Sequence, residues 1–194
     1  MDARPLPPRP NLEHYKKQAK DLLKVCTSAS PDAIRAWAER WFRDCADQRV
    51  ETEARLRGIA VTQKLLESIQ RQEIERIERN IQEDKLAKPH PRLADAQFFV
   101  ARGHGFESWP KFARQVQALQ QGNSRDARFE EAADAVVSGD TRTLERLLGD
   151  DPQLIRTRSQ RTHNASLLHY VAANGVEDFR QKTPANIVPI AKLF

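Results

Sequence analysis

Cysteine and long apolar runs are both scarce in this sequence of 194 residues. Its two cysteines, Cys26 and Cys45, are too few for a disulfide framework or a four-cysteine zinc site. No apolar stretch approaches the ~20 residues that a membrane-spanning helix needs, and the Pro-rich start contains no apolar segment of the kind found in secretory signals. We therefore expect a reduced, cytoplasmic protein that makes no contact with a membrane.

Catalytic and metal-binding motifs are lacking as well. None of the five histidines belongs to an HExxH or HxxxH motif, and none lies two to four residues from a cysteine. The glycine-rich segment 103–106 has neither the Lys nor the Ser/Thr of a phosphate-binding loop. We interpret both cysteines as small buried hydrophobic residues rather than nucleophiles. Since no nucleophile, base and orienting group occur at a recognised spacing, we expect no enzyme activity, catalytic residue, metal or cofactor.

The composition is basic, with a formal net charge of +5 and a pI of about 9.4. Residues 1–125 hold 23 Lys and Arg against 17 Asp and Glu, interleaved and without a Lys/Arg run of five. This pattern favours the solvated surface of long helices over a nucleic-acid footprint. The one-sided basic helix face that could bind nucleic acid has no aromatic partners, and it carries Lys16, Lys17, Lys20 and Lys24.

Local signals divide the chain into four parts. Residues 1–10 are Pro-rich and predict a disordered arm. Apolar spacing of three and four predicts a helical leader domain over 11–120. Within it, 48–88 contains one glycine, Gly58, and no proline before its end, so we expect one long amphipathic helix that packs on its neighbours or protrudes. The polar segment 121–126 predicts a flexible linker.

The remaining residues, 127–194, show internal similarity. Gly139 and Gly175 match at an offset of 36. An offset of 46 pairs Leu144, Leu147 and Leu148 with Ile190, Leu193 and Phe194. Offsets near 33 residues plus an insertion are typical of stacked helical repeats.

The segment SLLHYVAANG (166–175) resembles the ankyrin signature TPLHxAAxxG. The motif residues that we assign are Ser166, Leu168, His169, Ala173 and Gly175. Residues 9–24 and 93–119 resemble a helical leader that precedes ankyrin repeats in bacterial proteins. The resemblance implies an all-α fold, in which a helical leader with a long charged helix is followed by ankyrin-type helix-turn-helix repeats, the start of an α-solenoid, incomplete at the C-terminus.

The resemblance also implies a function, namely a non-enzymatic module that binds another protein. Family members bind partners through the inter-repeat finger and the exposed side of the first helix. These positions correspond to Arg156, Arg158, Arg161 and His163 on the finger and to Tyr170, Ala173 and Asn174 on the helix. Two alternatives stay open: a nucleic-acid-binding protein that uses the basic leader, or a non-catalytic part of a larger enzyme.

Two further expectations concern the repeats. The motif histidine of ankyrin repeats bonds locally and ties neighbouring repeats, so the resemblance implies that His169 is a buried structural residue and not a ligand. Ile190, Leu193 and Phe194 share one helix face with no following repeat in this sequence. We therefore expect a bare apolar face there, which would favour self-association or fraying.

Overall fold

The computed structural model describes residues 3–28, 30–46, 62–122 and 124–194. Over these residues the chain is helical and contains no strand, which confirms the all-α prediction. The described α-helices are α1 (Leu12–Ser28), α2 (Pro31–Ala46), α3 (Gln63–Glu83), α4 (Leu93–Gly103), α5 (Trp109–Gln121), α6 (Arg125–Ser138), α7 (Thr141–Asp150), α8 (Leu167–Val171) and α9 (Ile187–Ala191). Short 3-10 helices span Lys85–Ala87, Pro152–Arg156 and Asp178–Arg180. Within the described ranges, no helix combines the length and the apolar character needed to cross a bilayer.

The chain forms two compact units that do not divide where the sequence predicted. The first unit is Glu13–Val100, and the second unit combines Met1–Leu12 with Ala101–Phe194. The expected linker at 121–126 lies inside the second unit, because Ser124 caps both flanking helices. Its hydroxyl donates to the carbonyl of Ala118 at 3.2 Å and accepts the N–H of Ala127 at 3.1 Å.

The first unit is held together by an aromatic cluster and by α3. The rings of Trp37 and Trp41 lie 4.4 Å apart between centroids, and Trp41 lies 5.3 Å from Phe99. Helix α3 packs on α2 and buries its apolar face. Edge-to-face rings of this kind add to the free energy of burial.

Helix α3 is shorter at its C-terminal end than the single helix predicted over 48–88, so that prediction is corrected. It begins at Gln63 because the Thr62 side chain accepts the N–H of Leu65 at 3.2 Å. It ends at Glu83, where Asp84 starts the next short helix by accepting the N–H of Lys85 at 2.6 Å. The helix packs on its neighbour and does not protrude, since its buried residues are Ile74, Ile77 and Ile81. Residues 48–61 of the predicted helix lie outside the described residues.

The N-terminal arm makes a buried contact at Arg4, which corrects the prediction of disorder over 1–10. Arg4 is only 7% exposed. Its N–H donates to the carbonyl of Gly103 at 2.9 Å, and its carbonyl lies 3.2 Å from Nδ1 of His104. These bonds attach the arm to the second unit at Arg4, a contact that the prediction of a disordered arm did not anticipate.

The core of the second unit lies between α6, α7, α8 and α9. Small residues on α6 allow close approach of the neighbouring helices, and the fully buried large residues include Leu144, Leu147, Leu167 and Tyr170. Helices α8 and α9 have only five residues each. The ankyrin-type stacking therefore stays a prediction.

The bare C-terminal face that we expected is covered. Ile190 is fully buried in this core, and Leu193 and Phe194 are partly buried against it. The large apolar residues of these helices that do face solvent are Leu168, 58% exposed, and Val188, 62% exposed. The three residues named from the sequence therefore provide no basis for self-association.

Candidate protein-binding surface

A short loop over 157–166, which we call the finger, projects between α7 and α8. Arg158 and Ser166 pair in an isolated antiparallel bridge, and the N–H of Ser159 donates to the carbonyl of Ala165 at 2.8 Å. Asn164 turns the chain with a φ of 50°, a conformation that Asn tolerates better than most residues. The finger is thus a hairpin-like loop with its own backbone bonds.

Four buried charged side chains, which we call the ion cluster, lie beneath the finger. Nη1 of Arg161 lies 3.0 Å from Oε1 of Glu130 and 2.9 Å from Oε1 of Glu177. Nη1 of Arg180 lies 2.7 Å from Oε2 of Glu130 and 3.2 Å from Oε1 of Glu177. No side chain of the four is more than 8% exposed. Two guanidiniums and two carboxylates therefore neutralise each other away from water.

Electrostatic interactions within the cluster keep the Glu177 carboxylate charged. Burial alone would raise the pKa of Glu177, but the hydrogen bond from His163 and the charges of Arg161 and Arg180 outweigh it and hold that pKa well below its ordinary value. Burial opposes the charge of Arg180 in the same way, yet Glu130 and its other acidic neighbours raise the pKa of the guanidinium well above its ordinary value. Glu177 and Arg180 are thus ionised at neutral pH.

Acid is expected to destabilise the second unit through Glu177. Because its pKa is depressed in the folded chain, its contribution to stability is complete above the unfolded-state pKa of about 4.3. The contribution is lost as the pH falls from there toward the folded-state pKa. Urea denaturation at several pH values should show a free energy of unfolding that falls below about pH 4.5, and falls less steeply in Glu177→Gln. Equal slopes in the two proteins would contradict this assignment.

The finger is also tied to the turn after α4. The carbonyl of Gly105 accepts the N–H of Thr162 at 2.9 Å and its hydroxyl at 2.6 Å. Nε of Arg161 donates to the carbonyl of His104 at 3.3 Å. With the ion cluster on one side and this turn on the other, the finger is held in one conformation.

A groove of about 760 Å³ runs beside the finger. All thirteen described residues that line it are charged or polar. They are Glu107, Lys111, Arg125, Asp126, Gln153, Arg156, Thr157, Arg158, Ser159, Gln160, Arg161, Thr162 and Asn164. A surface of this composition recognises polar or charged ligands and has no pocket for an apolar side chain.

The structure brings three of the seven predicted binding residues to this groove. Arg156 and Arg158 are exposed along it, and the Nη1 of Arg158 donates to the carbonyl of Asn164 at 3.1 Å. Arg161 also contacts the groove, but its side chain is 1% exposed because it belongs to the ion cluster. We therefore correct its assignment from a contact residue to an anchor of the finger.

The other four predicted binding residues lie apart from the groove. His163 is half-buried, with Nε2 3.3 Å from Oε2 of Glu177. Tyr170 is fully buried, with its ring 6.1 Å from that of Phe129, so it is a core residue and not a surface contact. Ala173 adopts a φ of 50° after α8, and Asn174 is exposed.

The ankyrin-like motif residues differ in part from the expectation. His169 is exposed, not buried. Its Nδ1 lies 2.9 Å from the Ser166 hydroxyl and accepts the Ser166 N–H at 3.3 Å, so the two residues form a capping box at the start of α8. The histidine thus bonds locally, as the resemblance implied. Leu168 is exposed, and Gly175 has a φ of 68°.

Replacing His169 by Ala is expected to have a small effect on stability. An exposed capping interaction contributes about 0.5–1 kcal/mol, less than the roughly 1–3 kcal/mol that loss of a buried hydrogen-bonding group costs. Urea denaturation of the full chain measures the difference. Ser166→Ala removes the other half of the same capping box and serves as the comparison. A loss above about 2 kcal/mol in His169→Ala alone would contradict the exposed cap.

Sequence reasoning missed the groove residues outside the finger. Lys111 and Arg125 lie in the first turns of α5 and α6, and their charges are partly compensated by Glu107 at 2.6 Å and Asp151 at 3.1 Å. No local pattern marks either residue, because the groove is assembled from segments far apart in sequence.

Cys26 is partly buried, where the sequence predicted a buried residue. Burial, and secondarily the Asp84 carboxylate, raises its pKa to about 11. The thiol is therefore protonated near neutral pH and is a poor nucleophile. Within the residues that the structure describes, no three His, Cys, Asp or Glu side chains are placed to hold a metal ion. The Cys45 side chain lies outside the described residues.

In comparisons with known proteins, no family model, no curated protein and no solved structure matches this chain. The resemblance to ankyrin repeats therefore depends on the motif residues alone.

Proposed function

We propose that the protein is a non-enzymatic interaction module that binds another protein through the groove beside the finger, and that 127–194 is an ankyrin-type repeat region. The observation that carries this proposal is a pair of exposed arginines, Arg158 on the finger and Arg156 at the end of the preceding 3-10 helix. Neither Arg156 nor Arg158 has a carboxylate partner among the described residues. Arginine is over-represented among the residues that dominate binding at protein interfaces.

The rigid support of the finger favours binding. The ion cluster holds the loop at Arg161, and the Gly105 carbonyl holds it at Thr162. Since the loop is ordered before a partner arrives, little conformational entropy is lost on association. Arg158, whose Nη1 donates to the Asn164 carbonyl, extends from this ordered loop.

The nucleic-acid alternative has less support. Lys16 is paired with Glu13 at 2.7 Å. The depression beside Lys17 contains acidic as well as basic residues. Trp37 and Trp41 line it, but they are only 3% and 2% exposed, so their ring faces are not available for base stacking.

A site-specific crosslink tests the proposed surface. A photo-crosslinking amino acid at Gln160, which lines the groove, should form a discrete covalent adduct with a partner protein in cells that naturally produce this chain. The adduct should disappear in Arg156→Glu/Arg158→Glu, because charge reversal removes both cationic contacts.

The matched control is Arg142→Glu/Lys192→Glu. Both of its residues are exposed and lie outside the groove, so the charge change is the same. The adduct should persist in this control. No adduct at all, or equal loss in both variants, would overturn the proposal.

A further inference from the structure

The groove has an excess of positive charge. Its thirteen lining residues include five cations and two carboxylates, Glu107 and Asp126. Three cations are already compensated: Lys111 by Glu107, Arg125 by Asp151, and Arg161 by the ion cluster. Arg156 and Arg158 have no carboxylate partner among the described residues, and they outnumber the one remaining groove carboxylate, Asp126.

The groove fits a peptide better than a nucleic acid. Proteins that bind single strands stack bases on aromatic side chains along a basic groove. None of the described residues that line this groove is aromatic or aliphatic. The hydroxyl and amide groups of the groove, by contrast, can donate hydrogen bonds to a peptide backbone and accept hydrogen bonds from it.

The spacing of the two arginines defines the ligand more closely. Thr157 between them is extended, with φ −68° and ψ 148°. Residues two positions apart in an extended segment are about 6–7 Å apart. In an extended peptide, residues two positions apart are separated by the same distance. A guanidinium can bind a carboxylate through two parallel hydrogen bonds.

On the basis of the proposed function, we infer that the groove binds an extended acidic segment of the partner protein, with carboxylates at alternate positions. Arg156 and Arg158 each bind one carboxylate. Thr157 and Gln160 line the same groove and supply polar groups for the peptide.

Fluorescence anisotropy with defined peptides tests this inference on the full chain. The probe is a labelled peptide of alternating Glu and Ser, compared with a peptide of the same composition built on the repeat Glu-Glu-Ser-Ser, in which no two Glu are two positions apart. The alternating peptide should bind about tenfold more tightly, because only its carboxylates match both arginines. Affinity should fall as salt is raised.

Variants identify where the peptide binds. Arg156→Glu/Arg158→Glu should weaken binding of the alternating peptide by at least about tenfold, while Arg142→Glu/Lys192→Glu should change it by less than about twofold. Equal loss in both variants would overturn the inference, since it would indicate general charge attraction.

Three other outcomes would also overturn it: equal affinity for the two peptides, equal or tighter binding of a labelled single-stranded oligonucleotide of the same charge, or no peptide binding. If the crosslink at Gln160 still forms an arginine-dependent adduct, only the ligand class is wrong. If that adduct is also absent, the proposed function fails as well.

Discussion

Replacing Glu177 by Gln is expected to lower the free energy of unfolding by about 3–5 kcal/mol. The side chain of Glu177 is fully buried, and one of its oxygens lies 2.9 Å from Arg161 and 3.2 Å from Arg180. Gln has nearly the same size, so no cavity forms. The loss comes from the charge, because Arg161 would keep only Glu130 as its carboxylate partner and would share it with Arg180, whose other partner is the exposed Asp134 at 2.8 Å.

Urea denaturation followed by circular dichroism measures this loss, with Glu131→Gln as the matched control. Glu131 makes an ion pair of similar length with Arg146, at 2.7 Å, but its side chain is 49% exposed. An exposed pair contributes about 0–1 kcal/mol, so the same chemical change should there have little effect. If the two variants lost similar stability, the ion cluster would not be a buried anchor of the finger.

The cluster also explains why the sequence misassigned Arg161. In sequence, Arg161 lies in a polar stretch with Arg156 and Arg158, and nothing local separates a buried arginine from an exposed one. Its burial depends on Glu130 and Glu177, which lie 31 and 16 positions away, so only the folded chain reveals it. The sequence therefore predicted where a finger occurs, but not which of its cations face a ligand.

Several helix boundaries are set by local chemistry. Ser30 caps α2, with the N–H of Ala33 at 3.4 Å from its hydroxyl. Ser108 and Gly122 bound α5. Capping requires only residues within a few positions. Prediction failed at the N-terminal arm, because Arg4 is ordered by bonds to a turn about a hundred residues away.

Gly139→Ala is expected to lower the free energy of unfolding by about 2–3 kcal/mol. Gly139 ends α6 with a φ of 82°, where a residue with a Cβ is strained by about 1–2 kcal/mol. A Cβ there would also lie 2.5 Å from Oδ1 of Asn186 and 3.1 Å from Cβ of Pro184. The new methyl group would displace Asn186, whose Nδ2 donates to the Gly139 carbonyl at 2.8 Å.

Substitutions at two other glycines distinguish backbone strain from steric clash in the same urea measurement. Gly122 has a φ of 73°, and the position of an alanine methyl group there is open, so Gly122→Ala should lose only the strain, about 1–2 kcal/mol. Gly149 lies in α7, also in open space, and Gly149→Ala should gain about 0.5–1 kcal/mol from helix propensity. The excess loss in Gly139→Ala over Gly122→Ala then measures the contact between the end of α6 and the segment before α9. An equal loss in these two variants would mean that Asn186 does not hold α9 against α6 as described.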